Sequence, residues 1–172
     1  MSKLGLRQLK VLELGSGPGM LAEQILRRCL SVRVYTLLDF SEPMLAVSRE
    51  QLAEFAARLR LVRADFRDDD WMAQVGRVDA VLSMQAVHEV RHTRHVSVLY
   101  EKVRSVLEPG GLMLICDHLP GENADPRRSA LYMTSGEQLA AFNIAGLRKG
   151  TVHFVANGMA LYKASAPETR AG

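Results

Sequence analysis

A chain of 172 residues is long enough for one domain with a real core, and 48% apolar against 24% charged residues is the balance of a soluble globular protein. Its 22 Lys and Arg against 19 Asp and Glu leave a formal charge of +3, which permits an acidic partner without demanding nucleic acid. No apolar run approaches the ~20 residues of a membrane span, and no block of signal-peptide type stands at the start.

In chain order, residues 10–14 read as a short buried strand, and Pro18 with Gly19 opens a helix that runs to about Leu30. A second strand is expected over 32–38. Ser41 is placed to cap the next helix, with Pro43 in its first turn; apolar spacing at Met44, Leu45, Val47, Leu52 and Phe55 carries that helix to about Leu59. LRLVRA gives a third strand. Asp68, Asp69 and Asp70 begin a polar stretch that ends in a helical piece around Trp71 to Val75, and a fourth strand covers 79–84.

Thr93 is a candidate cap for a helix ending near Glu108. Pro109-Gly110-Gly111 stops that helix and turns into a strand over 112–117. Residues 118–133 read as a loop, and Ser135 caps a helix to Ala145 that Gly146 ends. Two last strands, near 149–156 and 159–164, meet at Asn157-Gly158, a hairpin signal. The two cysteines, Cys29 and Cys116, lie in apolar settings without CxxC spacing. Both are expected as reduced core residues, which points to the cytoplasm.

Strands alternating with helices predict an α/β fold: a doubly wound, mostly parallel sheet with helices on both faces and one antiparallel strand at the edge. A single domain over 1–164 is expected, with 165–172 as a frayed tail. Neither a repeat nor a linker interrupts it.

The stretch from Glu13 to Gly19, ELGSGPG, raises the question of a ligand. Gly15-x-Gly17-x-Gly19 is neither the dinucleotide fingerprint, which spaces its glycines G-x-G-x-x-G, nor a P-loop. The glycines could simply make a tight turn. Three acids favour a binding loop: Glu13 just before it, Asp39 at the end of the second strand and Asp65, followed by Phe66, just past the third. All would line the carboxyl edge of the sheet, where open α/β folds bind ligands. A carboxylate suits ribose hydroxyls, and an acid beside an apolar wall suits adenine. With no Lys or Arg in the loop, a nucleoside without phosphates is the expected ligand.

The ordered series VLELGSGPG, LLDFSEPML, RADFRDDDW, VDAVLSMQAVHEV and LEPGGLMLICDH resembles the motifs of the class I S-adenosylmethionine-dependent methyltransferases, particularly the small-molecule subgroup, from residue 11 to about 164. The resemblance implies a seven-stranded sheet of order 3-2-1-4-5-7-6 with strand 7 antiparallel. It implies S-adenosyl-L-methionine as cofactor, with Glu13, Gly15, Gly17 and Gly19 around its methionine part and Asp39 on the ribose. Phe40 would lie against the adenine, Asp65 and Phe66 would hold the adenine edge, and Ser83, Met84 and Gln85 would lie beside the methionine end.

The implied reaction is in-line displacement of the methyl group by a small-molecule acceptor. The main task of such a site is alignment and exclusion of water. A base is needed only where the acceptor carries its proton. His88, after strand 4, is the candidate base, since His is the usual neutral-pH base. Gln85, His88, His118, Arg128 and Tyr132 are candidate substrate contacts. Asp117 reads as a turn cap, and the run Arg91 to His95 as a solvated helix start. Acids suited to a metal are missing around strand 4, where Ser83 stands, so no metal is expected.

Only about ten residues, among them Leu4, Leu6 and Leu9, precede the first strand where the family usually has a covering helix or two. That leaves room for a homodimer to complete the pocket. Neither a membrane nor a nucleic acid is expected as partner. Three other readings stay open: an RNA or protein methyltransferase using a basic stripe, a non-catalytic cofactor-binding module, and a dehydrogenase.

Overall fold

The computed structural model describes residues 8–121 and 131–169. Its elements run β1 (Leu9–Leu14), α1 (Met20–Arg28), β2 (Val32–Asp39), α2 (Glu42–Gln51), β3 (Leu59–Arg63), α3 (Trp71–Val75), β4 (Val78–Met84), α4 (Val96–Val106), β5 (Leu107–His118), α5 (Ser135–Ile144), β6 (Arg148–Ala156) and β7 (Met159–Ser165). Among the described residues the strands form one sheet of order β3-β2-β1-β4-β5-β7-β6. β1 to β5 pair in parallel, and β7 pairs antiparallel with both β5 and β6. This is the order and direction the sequence implied.

Strands buried on both faces read as continuous apolar runs rather than alternating ones. One face packs Leu12, Leu14, Val81, Met113 and Ile115 against α3, α4 and α5. The other packs Val11, Tyr35, Leu37 and Leu82 against Ala22 and Leu26 of α1 and Leu45 of α2. The helices thus cover both faces. The hairpin between β6 and β7 turns at Asn157 and Gly158, with φ of 51° and 73°, the left-handed pair that a two-residue turn between twisted strands requires.

Local chemistry moves several expected boundaries. α2 stops at Gln51, and a 3-10 turn over Ala53–Arg58 replaces its predicted last third. The tighter turn buries Phe55, whose ring receives the guanidinium groups of Arg27 and Arg58 at 5.4 and 5.2 Å. Thr93 begins another 3-10 turn, and α4 starts only at Val96. α5 is capped by Thr134 rather than Ser135: Thr134 Oγ1 accepts from the Glu137 amide while the Glu137 carboxylate accepts from the Thr134 amide.

β5 begins at Leu107, so Pro109-Gly110-Gly111 lies inside the strand, beside a register shift against β4. A Cβ on Gly111 would stand 2.8 Å from the Glu108 carbonyl oxygen, so the strand passes there only as glycine. Residues 165–167, assigned to the tail from sequence, close this end of the sheet. The Ala166 amide donates to the Gly111 carbonyl, and the Gly110 amide to that of Pro167.

Cys29 corrects an expectation. It is exposed, because α1 ends at Arg28 and Cys29 leaves the helical periodicity that buries Leu26. Cys116 is half-buried. Among the described residues no helix is long and apolar enough to cross a membrane.

Candidate functional site

The loops after β1, β2, β3 and β4 converge at the carboxyl edge of the sheet around a cavity of about 280 Å³. Six residues singled out from sequence line it: Gly15, Asp39, Phe40, Asp65, Phe66 and Gln85. Arg67, Ala86, Glu89 and Arg91 join them. Gly15 has φ +64°, and a Cβ there would stand 2.4 Å from the Ala86 Cβ. The loops of β1 and β4 touch at this point, which only glycine allows. Gly17, φ +52°, faces open space. Gly19, at the start of α1, is outside the cavity lining, and a Cβ there would stand 2.8 Å from Leu52 Cδ1 and 3.2 Å from Ser48 Oγ.

The loop's own amides are committed. Gly15 and Ser16 donate to the Leu38 carbonyl, Gly17 to Asp39 Oδ2 at 2.8 Å, and Gly19 to the Ser16 carbonyl. These four loop amides are thus not free to cradle a phosphate. Asp39 therefore ties two loops, since its Oδ1 accepts from the Ser41 amide at 2.9 Å. Asp65 accepts from the Arg67 amide at 2.9 Å and from the Arg67 guanidinium through both oxygens. The Arg67 side chain holds the Asp65 carboxyl below the usual range, against the opposing effect of burial.

Five expected cofactor residues are not part of the cavity lining: Gly17 and Gly19, together with Glu13, Ser83 and Met84. Glu13 is buried on the α1 and α2 face, where its Oε2 accepts from the Tyr35 hydroxyl at 2.8 Å. Burial pushes its carboxyl up to about 7, the Tyr35 hydrogen bond opposing and the Asp39 charge adding. Ser83 is buried and donates to the Leu14 carbonyl at 3.1 Å, tying β4 to β1. Met84 is exposed at the end of β4. Gln85 adopts φ +55°, and its amide donates to the Cys116 carbonyl at 2.7 Å.

Beyond Gln85 a 3-10 turn, Val87–Val90, carries His88 into a narrow cleft with Asp117, His118 and Tyr132. His88 Nδ1 lies 2.8 Å from Asp117 Oδ1, and the His88 amide donates to Asp117 Oδ2 at 3.1 Å. The His118 amide donates to Asp117 Oδ1 at 2.8 Å. Glu89 Oε1 stands 3.5 Å from His88 Nε2. The Asp117 hydrogen bond raises the His88 pKa above the ordinary histidine value, burial opposing. The rings of His88, His118 and Tyr132 form a triangle with centroids 5.5 to 5.9 Å apart. In a His–carboxylate pair of this kind the carboxylate can accept from Nδ1–H, which leaves Nε2 able to take a proton.

Sequence reasoning treated Asp117 as a turn cap; its signal was an acid at the end of the strand beside β4. Arg91, expected in a solvated helix start, instead faces the cavity with φ +64°. Leu4, Leu6, Arg127 and Arg128 lie outside the described residues.

Residues 11–111 match a family model described as a methyltransferase domain. The non-reducing polyketide synthase mapC of Penicillium brevicompactum is 29% identical over 117 residues, covering 64% of this chain and 5% of that protein. The corresponding adrD of Penicillium roqueforti is 28% identical over 119 residues, 64% of this chain and 4% of that protein. Among solved structures, the CurJ carbon methyltransferase superposes with a TM-score of 0.79 at 15% identity, over 96% of this chain and 50% of that one. An O-methyltransferase family protein from Burkholderia thailandensis does so at 0.79 and 16%, over 98% and 54%. The chain therefore spans about half the length of these structures and about a twentieth of the synthases.

Proposed function

This chain belongs to the methyltransferase domain family, and from that premise we propose that it is a cytoplasmic enzyme that methylates a small oxygenated molecule from S-adenosyl-L-methionine. The acceptor is one whose reacting carbon or oxygen must first lose a proton. The observation that carries this reading is the His88–Asp117 pair beside the cavity.

The residues present fit the cofactor. Committed loop amides argue against a phosphate, whereas ribose and adenine need acceptors, and Asp39 and Asp65 offer them at the cavity wall. Ser16 Oγ, in the loop itself, is buried without a protein partner, one more polar group at this site. Asp39 would hold the ribose, Asp65 the adenine amino group, and Phe40 and Phe66 the ring faces. Glu13, Ser83 and Gly19 would act from behind, by fixing the strands and the helix start. When bound, the cofactor supplies a methyl group already activated by the sulfonium.

His88 Nε2 takes the acceptor's proton. Asp117 fixes its tautomer and, with Glu89, stabilises the imidazolium that forms. His118 and Tyr132 wall the acceptor and exclude water. The fungal relatives' names, polyketide synthases, support an acceptor acidified by neighbouring carbonyls or an aromatic ring. The free cysteines and the absence of CxxC spacing support a reducing compartment.

The test is methyl transfer from labelled S-adenosylmethionine to a panel of β-dicarbonyl compounds and phenols. Turnover by the native chain and a loss of ~10²-fold or more in H88A is expected for a general base. Turnover that survives H88A unchanged would remove the base from the reading, and no binding of S-adenosylhomocysteine would remove the reading itself.

A further inference from the structure

The loop from Asp65 to Asp70 brings Asp65 and Phe66 to the cavity outside any strand or long helix, yet three consecutive carbonyls in it are held by side-chain donors. Trp71 Nε1 donates to the Phe66 carbonyl at 3.2 Å from a fully buried indole. Lys102 Nζ donates to the carbonyls of Arg67 at 2.6 Å and Asp68 at 2.9 Å, and pairs with Asp69 Oδ1 at 2.7 Å. An ammonium has three N–H donors, and here all three go to one loop. The Lys102 side chain is 15% exposed, whereas that of Asp69 is 81% exposed. Its stem lines an apolar cleft with Phe66, Val98 and Leu99, so the residue reaches under the loop from α4.

We propose that Lys102 is a positioning residue for the adenine end of the cofactor, acting through Asp65 and Phe66. An exposed Lys–Asp pair alone contributes little. The two carbonyl bonds are charge-assisted and come from a largely covered ammonium, and they fix the turn that sets where the Asp65 carboxylate stands. The inference rests on the cofactor reading above.

The experiment titrates S-adenosylhomocysteine and S-inosylhomocysteine, which lacks the adenine amino group, into the native chain, K102M, K102R and D69A by calorimetry. K102M keeps the apolar stem and loses the donors. Its affinity for the adenosyl ligand should fall about 10-fold, the loss of the one charge-assisted bond between the adenine amino group and a displaced Asp65. The inosyl ligand should lose much less, so that base discrimination shrinks. K102R should recover most of the discrimination, and D69A should stay within about twofold of the native chain because the carbonyl bonds persist.

Equal losses for both ligands, or none, would overturn the proposal while leaving the cofactor reading intact. A native chain that binds neither ligand would overturn both. A second measurement needs no variant. If the loop is fixed in advance, amide hydrogen exchange at Arg67 and Asp68, both bonded to Asp65, is already slow in the free protein and changes little with S-adenosylhomocysteine. Protection gained only on binding would refute it.

Discussion

Replacing Glu13 with glutamine should stabilise the protein at neutral pH and flatten its stability profile. Glu13 is 2% exposed in β1, and its carboxyl accepts from the Tyr35 hydroxyl at 2.8 Å. Burial, above all, raises its pKa from 4.5 to about 7. The folded protein thus holds this proton more tightly than the unfolded chain does. The resulting stabilisation is complete below the unfolded value and is lost as pH rises through about 7. A gap of roughly 2.5 units at ~1.4 kcal/mol per unit amounts to about 3 kcal/mol once the group ionises. Glutamine cannot ionise, and its side-chain carbonyl still accepts from Tyr35. Urea unfolding of both proteins at a series of pH values from ~4 to 8 measures the effect. E13Q minus native stability should grow by about 3 kcal/mol across that range, most steeply between the two pKa values. A difference that stays constant with pH would show that Glu13 ionises normally and would refute the argument.

D117N removes the group that raises the His88 pKa. The acidic limb of the kcat/KM profile, lying above the ordinary histidine value in the native enzyme, should fall toward ~6.5, with the maximal rate down ~10²-fold or more. G19A should destabilise the fold by about 2 kcal/mol or more in thermal or urea unfolding. It strains a residue at φ +86° and drives a Cβ to 2.8 Å from Leu52 Cδ1. Iodoacetamide at pH 8 should label exposed Cys29 well before Cys116, whose thiol burial pushes up; peptide mass spectrometry reads the order.

How far the fold was legible follows from which signals are local. Turn residues and apolar runs located every strand, because Asn157-Gly158, Pro18 and the glycines act within a few residues. Helix boundaries were less legible. Leu52 and Phe55 keep helical spacing although the chain tightens into a 3-10 turn there, and one apolar period cannot separate the two. The direction of Glu13 was hidden for another reason. β1 is apolar on both faces, so its sequence carries no alternation to say that residue 13 sides with Val11 and Tyr35. The pairing of His88 with Asp117 spans 29 residues and exists only through the register of β4 and β5, where Met84 stands beside Cys116. Arg67 was missed at two residues' distance, since a loop arginine bending back onto Asp65 leaves no periodic trace.

The segment after β4 shows why so much of the site depends on one turn. Residues i and i+3 of a 3-10 helix lie one above the other. Ala86 and Glu89 accordingly face the cavity together, while Val87 and His88 face the cleft with Asp117. Gln85 sets the entry of this turn with a left-handed φ of +55°, strained for a residue with a Cβ, and its amide is pinned to the Cys116 carbonyl at 2.7 Å. Backbone strain of this kind persists only where the surroundings over-determine it. Here they do: the end of β5 holds Gln85 through the Cys116 carbonyl and the His88 amide and ring through Asp117, and Gly15 lies close against Ala86. A single turn of chain is thus the wall of the cavity and the mount of the base at once. A shift in it would change the wall of the cavity and the aim of His88 together.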